Sequence, residues 1–238
     1  MRKIFFYILL SFIVGICGGI FADQILWPYF VEKPLFYKYN LEQTPVYVTE
    51  RKEITIQENV ALQNAFDKVK NTIIGIKTIV PKSKVLEGSG LILTSDGLVV
   101  TLADLVPKGG DFNFFVDGEL VSFQILKRDL KENLALIKIK QENLPTVEFA
   151  EFEKLRQGER VFLAGIIFEE GEIKKIVNEG VVKYFDKEII KTSILETTTL
   201  AGSPLFNIEG KLLGLNLVDK WGRVSTIPII KIKSFAGF

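Results

Sequence analysis

Histidine is absent from the 238 residues, and cysteine occurs once, as Cys17. Without an imidazole the chain cannot run Ser-His-Asp or Cys-His chemistry. Without His and Cys clusters it has no ligand set for zinc, copper or haem. A single cysteine excludes an intrachain disulfide and leaves the redox compartment unspecified. An excess of charge of one sign is also lacking: 30 Lys and Arg stand against 29 Asp and Glu, a net of +1. That balance supplies neither a basic field for nucleic acid nor an acidic tail. No basic block interleaved with aromatics occurs, so nucleic acid is not an expected partner. The carboxylates show no EF-hand spacing, and neither a metal nor a cofactor is expected.

What the chain does have begins with a long apolar run. Arg2 and Lys3 precede nineteen uncharged residues, Ile4 to Ala22, and Asp23 follows. Such a run nearly spans a hydrocarbon core as a helix. The placement of charge argues for a single-pass anchor over 1–26, with a cytoplasmic N-terminus and an extracytoplasmic bulk. A cleaved signal peptide ending at Ala22 is the alternative. The length of the run and the following Trp27, Tyr29 and Phe30, which suit an interfacial belt, favour the uncleaved anchor. Ile16 stands where a lipidated Cys17 would want a small neighbour. Gly15 and Gly19 form a small-xxx-small pair, a weak mark of helix association.

Residues 27–57 mix aromatics with Pro28, Pro34 and Pro45 and read as a membrane-surface spacer or an oligomerisation arm. From Glu58 to Lys70 the pattern is a short amphipathic helix, with Leu62, Ala65, Phe66 and Val69 on one face. β-type runs follow: 72–80, 90–94, 98–101, 111–116, 120–126, 134–139, 160–167, 173–184, 189–194, 211–218 and 224–227. Ser95-Asp96-Gly97, Asp117-Gly118 and Glu209-Gly210 punctuate them as turns. Many short strands with few helices predict an all-β antiparallel sandwich or barrel over 58–238.

Four stretches carry a specific resemblance when taken in order. Ala65 to Ile76, followed by Glu87-Gly88-Ser89-Gly90-Leu91-Ile92, resembles an opening helix, a first strand and a Gly-Ser-Gly strand. Gly97 to Val106 resembles "Gly-x-x-x-Thr-Asn-x-His-Val-Val". Asn133 to Ile139 resembles "Asp-x-Ala-Leu-Ile-x-Ile". Ala201-Gly202-Ser203-Pro204-Leu205-Phe206-Asn207, then Leu213-Gly214-Leu215-Asn216, resembles "Ser-Gly-Gly-Pro-Leu-x-Asn" and "Val-Gly-Ile-Asn". The set is similar to the HtrA/Deg family of trypsin-like serine proteases and covers about 65 to 225. It implies two six-stranded antiparallel β-barrels with a cleft between them and extracytoplasmic work in protein quality control; a C-terminal PDZ domain, common in that family, is not expected here, because the chain ends at Phe238. It also allows a homo-oligomer, a trimer, and an extended or unfolded polypeptide as partner.

Carried over residue by residue, the resemblance puts Asp104 at the catalytic His position, Asn133 at the Asp position and Ala201 at the nucleophile. No catalytic residue is then intact. Alanine has no nucleophilic atom, and a carboxylate is too weak a base at neutral pH to take an alcohol proton. Asn133 has neither a charge nor an imidazole to orient. The oxyanion loop reads Thr199-Leu200-Ala201-Gly202, a degenerate and shortened version in which the first glycine is lost. The expected protein is thus a pseudoprotease that binds or scaffolds polypeptide.

The alternatives are an endopeptidase using Ser203 with a lysine and a domain kept as a spacer. Ser89 reads as a turn residue. Asp104 lacks a motif-supported second carboxylate for glycosidase chemistry, and Asp96, Asp117 and Glu209 read as solvated turn groups. The charge pattern at the N-terminus generates a topological expectation: protease added outside intact cells or spheroplasts digests the domain. Full protection of the domain would reverse the orientation.

Overall fold

The computed structural model describes residues 2–26, 58–81 and 84–238. Two compact units result, Met1–Thr55 and Ile56–Phe238. In the first, helix α1 (Arg2–Phe21) continues as a wider π-helical turn at Ala22–Leu26. The stretch Phe6–Leu26 is 21 residues long and apolar enough to cross a membrane. The expected spacer or arm over 27–57 lies outside the described residues.

The second unit opens with α2 (Glu58–Val69). Its Ala65 and Val69 are buried, and Leu62 and Phe66 pack against the same core, which is the face that the apolar spacing predicts. A seven-stranded sheet follows, built from β1 (Ile73–Val80), β2 (Lys84–Ile92), β3 (Leu98–Leu102), β4 (Asp111–Val116), β5 (Glu119–Val121), β6 (Phe123–Asp129) and β7 (Leu134–Ile139). Its order is β5-β4-β1-β2-β3-β7-β6, all antiparallel. The count departs from the expected six because one strand is broken at Ser122. Its first part, β5, pairs with β4, and its second part, β6, pairs with β7. Only one residue separates the two edge strands of the sheet, so the sheet must curl until its edges meet.

The remaining strands are β8 (Arg160–Glu169), β9 (Glu172–Phe185), β10 (Ile190–Leu195), β11 (Pro204–Asn207), β12 (Leu212–Val218) and β13 (Arg223–Pro228). They close a six-stranded barrel in the order β10-β13-β12-β11-β8-β9. Helix α3 (Ile229–Ala236) ends the chain and buries Ile229, Ile232 and Phe235. The strand β10 alternates buried and exposed residues along its whole length, the period-two signature of a half-buried strand. By contrast β7 is buried at five of its six positions.

A small set of buried polar groups joins the two sheets, and Ser89 on β2 is its centre. The Ser89 backbone N–H donates to the Ala201 carbonyl at 2.9 Å, and Thr101 Oγ1 donates to the Ser89 carbonyl at 2.7 Å. The Ser89 hydroxyl oxygen accepts from the Ile166 N–H of β8 at 2.9 Å. Ser89 is fully buried, so an unpaired group here could not turn to water. Replacing Ser89 by Ala strands the Ile166 N–H and is expected to cost about 1–3 kcal/mol in urea unfolding. Ser193, whose hydroxyl accepts from Val181 N–H at an exposed site, is the control: Ser193→Ala is expected to stay within about 0.5 kcal/mol. Equal effects of the two changes would refute the special weight given to Ser89.

Candidate functional site

The 3-10 turn Ala103–Leu105 follows β3 and carries Asp104. Two bonds fix its position. Thr78 Oγ1 of β1 donates to the Leu105 carbonyl at 2.6 Å, and the Ala103 N–H donates to the Asn133 carbonyl at 3.2 Å. Asn133 stands just before β7 in a left-handed conformation, φ +53°, which asparagine tolerates better than most residues. The two side chains meet reciprocally. Asn133 Nδ2 donates to Asp104 Oδ2 at 2.8 Å, and Asn133 Oδ1 accepts from the Asp104 N–H at 3.0 Å. Residues 29 apart in sequence are therefore brought together at an accessible surface.

Ala201 reaches the same place from the other sheet. It follows the 3-10 turn Thr198–Leu200, and its carbonyl is held by Ser89. Two glycines make the approach possible. A Cβ on Gly88 would lie 2.5 Å from Leu105 Cδ1 and 2.6 Å from the Ala201 carbonyl oxygen. Gly202 has φ +79°, and a Cβ there would meet the Ser89 carbonyl oxygen at 2.3 Å. The turn carrying Asp104 and the turn carrying Ala201 thus pack against one another across Gly88 and Ser89.

Four backbone donors at this loop are committed to carbonyls of the fold. Leu200 N–H donates to Thr197, Ala201 N–H to Thr198 and Ser203 N–H to Leu200, each at 3.1 Å, while Gly202 N–H donates to Asn216 at 2.8 Å. Four successive N–H groups are turned to carbonyls of the fold, and none of them is left for an incoming oxyanion. The hydroxyls of Thr197 and Thr199 bond each other at 2.6 Å.

Ser203 is fully buried immediately before β11. Its hydroxyl oxygen accepts from Asn216 Nδ2 at 3.1 Å, and Asn216 Oδ1 accepts from Thr226 Oγ1 at 2.6 Å. The partner is an amide within a buried chain of bonds, where a Ser/Lys dyad needs an amine. The turn carboxylates are each ion-paired: Asp96 with Lys138 at 2.5 Å, Asp117 with Lys175 at 2.7 Å and Glu209 with Lys211 at 2.9 Å. The Lys138 hydrogen bond holds Asp96 below the ordinary carboxylate range, aided by Thr94. No group of three or more metal-ligating side chains occurs among the described residues.

Two antiparallel barrel-like sheets with a polar site where their turns meet define a trypsin-like architecture. The trypsin-like peptidase domain family matches residues 88–215. The chain belongs to that family, in its HtrA/Deg type. It is 31% identical over 163 residues to serine protease HTRA1 of Xenopus laevis, covering 62% of this chain and 35% of that protein. It is 32% identical over 138 residues to a probable periplasmic serine endoprotease DegP-like of Pseudomonas putida, covering 54% of this chain and 28% of that one. The chain thus spans about a third of the length of these curated relatives. Among solved structures, the HtrA-type protease AlgW with tripeptide superposes with a TM-score of 0.64 at 22% identity, over 74% of this chain and 62% of that one. That likeness speaks for the fold alone.

Reading by residue type missed Ser89 as the organising group and took it for a turn residue. The signal was available in Gly88-Ser89-Gly90, since a polar residue between two glycines inside a strand marks close backbone approach.

Proposed function

We propose that this chain is a membrane-anchored, extracytoplasmic HtrA-type homologue that has lost peptidase chemistry and binds extended polypeptide. One observation carries the reading. At the position that the family gives to its nucleophile stands a methyl group, Ala201, whose own N–H is consumed by the Thr198 carbonyl. Nucleophile and oxyanion donor are therefore missing together. Asp104 and Asn133, at the positions of base and orienting acid, bond to one another. With no histidine in the chain, that pair has no imidazole to serve.

Binding does not need those groups. Strand β12 pairs with β11 only as far as Leu215, whereas its pairing with β13 continues to Val218. The N–H and C=O of Asn216 face Ser203 and Gly202. Two residues on, Val218 points its own pair to the same side, where no strand of this barrel lies. Such an edge accepts an extended peptide as an added strand. The solved HtrA-type protease of the same fold is described with a tripeptide, which favours a peptide as the partner. The periplasmic naming of the Pseudomonas relative, together with the apolar helix of this chain, favours the extracytoplasmic setting.

The purified chain is expected to leave unfolded casein intact and to resist fluorophosphonate labelling, yet to bind a fluorescent unfolded polypeptide by anisotropy. Val218→Pro, which removes the edge N–H, is expected to weaken that binding about fivefold or more. Casein turnover abolished by Ser203→Ala would overturn the reading, and so would binding indifferent to Val218→Pro.

The loop generates a separate expectation. Asp104→His, Asn133→Asp and Ala201→Ser combined are expected to fold, because the new hydroxyl at 201 reaches solvent. The triple variant is expected to remain nearly inactive, since losing even one oxyanion donor costs about a hundredfold or more in rate. Robust casein cleavage by it would show that only side chains, and not the backbone donors, had been lost.

A further inference from the structure

Arg128 on β6 carries a charge that the fold does not answer. Its Nε is buried without a hydrogen-bond partner, and among the described residues no acid pairs with its guanidinium. Buried donors left unsatisfied are rare in folded proteins, and each one asks for a cause. The residue as a whole is half-buried, so the two terminal nitrogens are the part of the guanidinium open to solvent.

Strand register shows where the group lies. Arg128 pairs with Ala135 of β7, and Ala135 pairs with Thr101 of β3. Ala135 and Thr101 are fully buried, so this row points into the curled first sheet. Lys127 and Asp129, on either side of Arg128, turn the other way and line a groove under α3, as strand alternation requires. The guanidinium carbon of Arg128 stands 5.8 Å from the centre of the Phe112 ring. The row lies close to the ends of β3 and β7 that lead to Asp104 and Asn133.

The groups that could answer the charge are engaged elsewhere. Asp104 accepts from Asn133. The carbonyls of Ser89 and Leu105 take the hydroxyls of Thr101 and Thr78. Asp129 Oδ1 accepts the N–H groups of Lys131 and Glu132. Asp111 is exposed and precedes Phe112 on β4, so alternation turns it to the opposite side.

We propose that Arg128 binds a carboxylate, gripped by its two terminal nitrogens at this end of the first sheet. An aromatic ring against the face of a guanidinium leaves the donor edge free, and that planar fork matches a carboxylate. One guanidinium balances one negative charge, which suits a carboxylate better than a phosphate dianion. The carboxylate comes from an acidic side chain or C-terminus of a bound polypeptide, or from a free organic acid. The polypeptide source rests on the reading of β12 as a peptide edge; the site itself does not.

The full chain in nonionic detergent, with isotope-labelled arginine, shows the Arg128 Nε–Hε signal as the one lost in Arg128→Gln. Sodium acetate is expected to shift that signal saturably, and sodium chloride at the same concentration is not. Reduced, alkylated lactalbumin is then bound by anisotropy with its carboxyl groups intact or amidated. With polypeptide as the source, the intact form binds about tenfold tighter. Arg128→Gln is expected to remove that difference, and Arg128→Lys to keep part of it. Urea unfolding of Arg128→Gln is expected to match that of the parent, because no partner is left unpaired.

An acetate shift without a difference between the two forms assigns the site to a free organic acid. No acetate shift, together with equal binding of the two forms, overturns the site. A difference that survives Arg128→Gln overturns Arg128 as its cause. Arg128→Gln that weakens both forms equally and destabilises the fold overturns the proposal in favour of a packing role. Binding indifferent to Val218→Pro while the acetate shift persists overturns the peptide edge and leaves the carboxylate site standing.

Discussion

Much of this structure depends on the three bonds of Ser89. A strand of the first sheet, a turn that follows β10 and a strand of the closed barrel share one residue whose every polar atom is buried and satisfied. Buried polar groups are costly when unpaired and directional when paired. Ser89 therefore fixes not only that the two sheets touch but where. The glycines around it are read best as consequences: Gly88 and Gly202 leave room for Leu105, for the Ala201 carbonyl and for the Ser89 carbonyl to come within a side chain's width of one another.

That frame holds the turns of Asp104, Asn133 and Ala201 in place without drawing on their side chains. Asp104, Asn133 and Ala201 sit at turns, whereas the bonds of Ser89 run beneath them. Asp104 and Asn133, at neighbouring ends of β3 and β7 in the first sheet, form a reciprocal pair of hydrogen bonds at a partly solvated surface. The N–H groups of Leu200, Ala201 and Gly202 are bonded to carbonyls of the fold, the first two within the turn and the third to Asn216 of β12. Internal satisfaction is the lower-energy arrangement for a backbone with nothing to bind. Preorganised oxyanion donors are the reverse, groups held unsatisfied until a transition state arrives.

The sequence was most legible where periodicity and turn chemistry agreed. Strands such as β4 and β7 sit at their expected bounds because alternation or a continuous apolar run ends at Gly118 or at Asn133. The break at Ser122 was not legible, because Leu120 to Leu126 has the pattern of one strand and only the curl of the sheet divides it. Helix α3 was hidden by Ile230-Lys231-Ile232-Lys233, whose alternation imitates a strand. Its buried set, Ile229, Ile232 and Phe235, follows helical spacing that emerges once Pro228 has ended β13. The four-residue β11 opens with proline and is too short for any period, so only the motif around it marked the place. The pairing of Asp104 with Asn133 is a matter of long-range register, which no local pattern carries.

Lys231 on α3 bears on how the two halves act as one body. Its ammonium bonds Glu132 at 2.8 Å and Glu188 at 2.5 Å, and these two carboxylates, Glu132 first, raise its pKa above the ordinary lysine value. The stabilisation is therefore present below the ordinary lysine value and is lost from the alkaline side, as pH rises through the raised value of Lys231. Glu132 directly precedes Asn133, and Glu188 lies in the turn between β9 and β10. The last helix thus ties the segment that precedes Asn133 to the turn before β10 of the closed barrel, at a point separate from the bonds of Ser89. Two polar ties at different points resist the relative rotation that either alone would permit, so that the juxtaposition of Asp104, Asn133 and Ala201 is a property of the whole domain and not of the loops that display it.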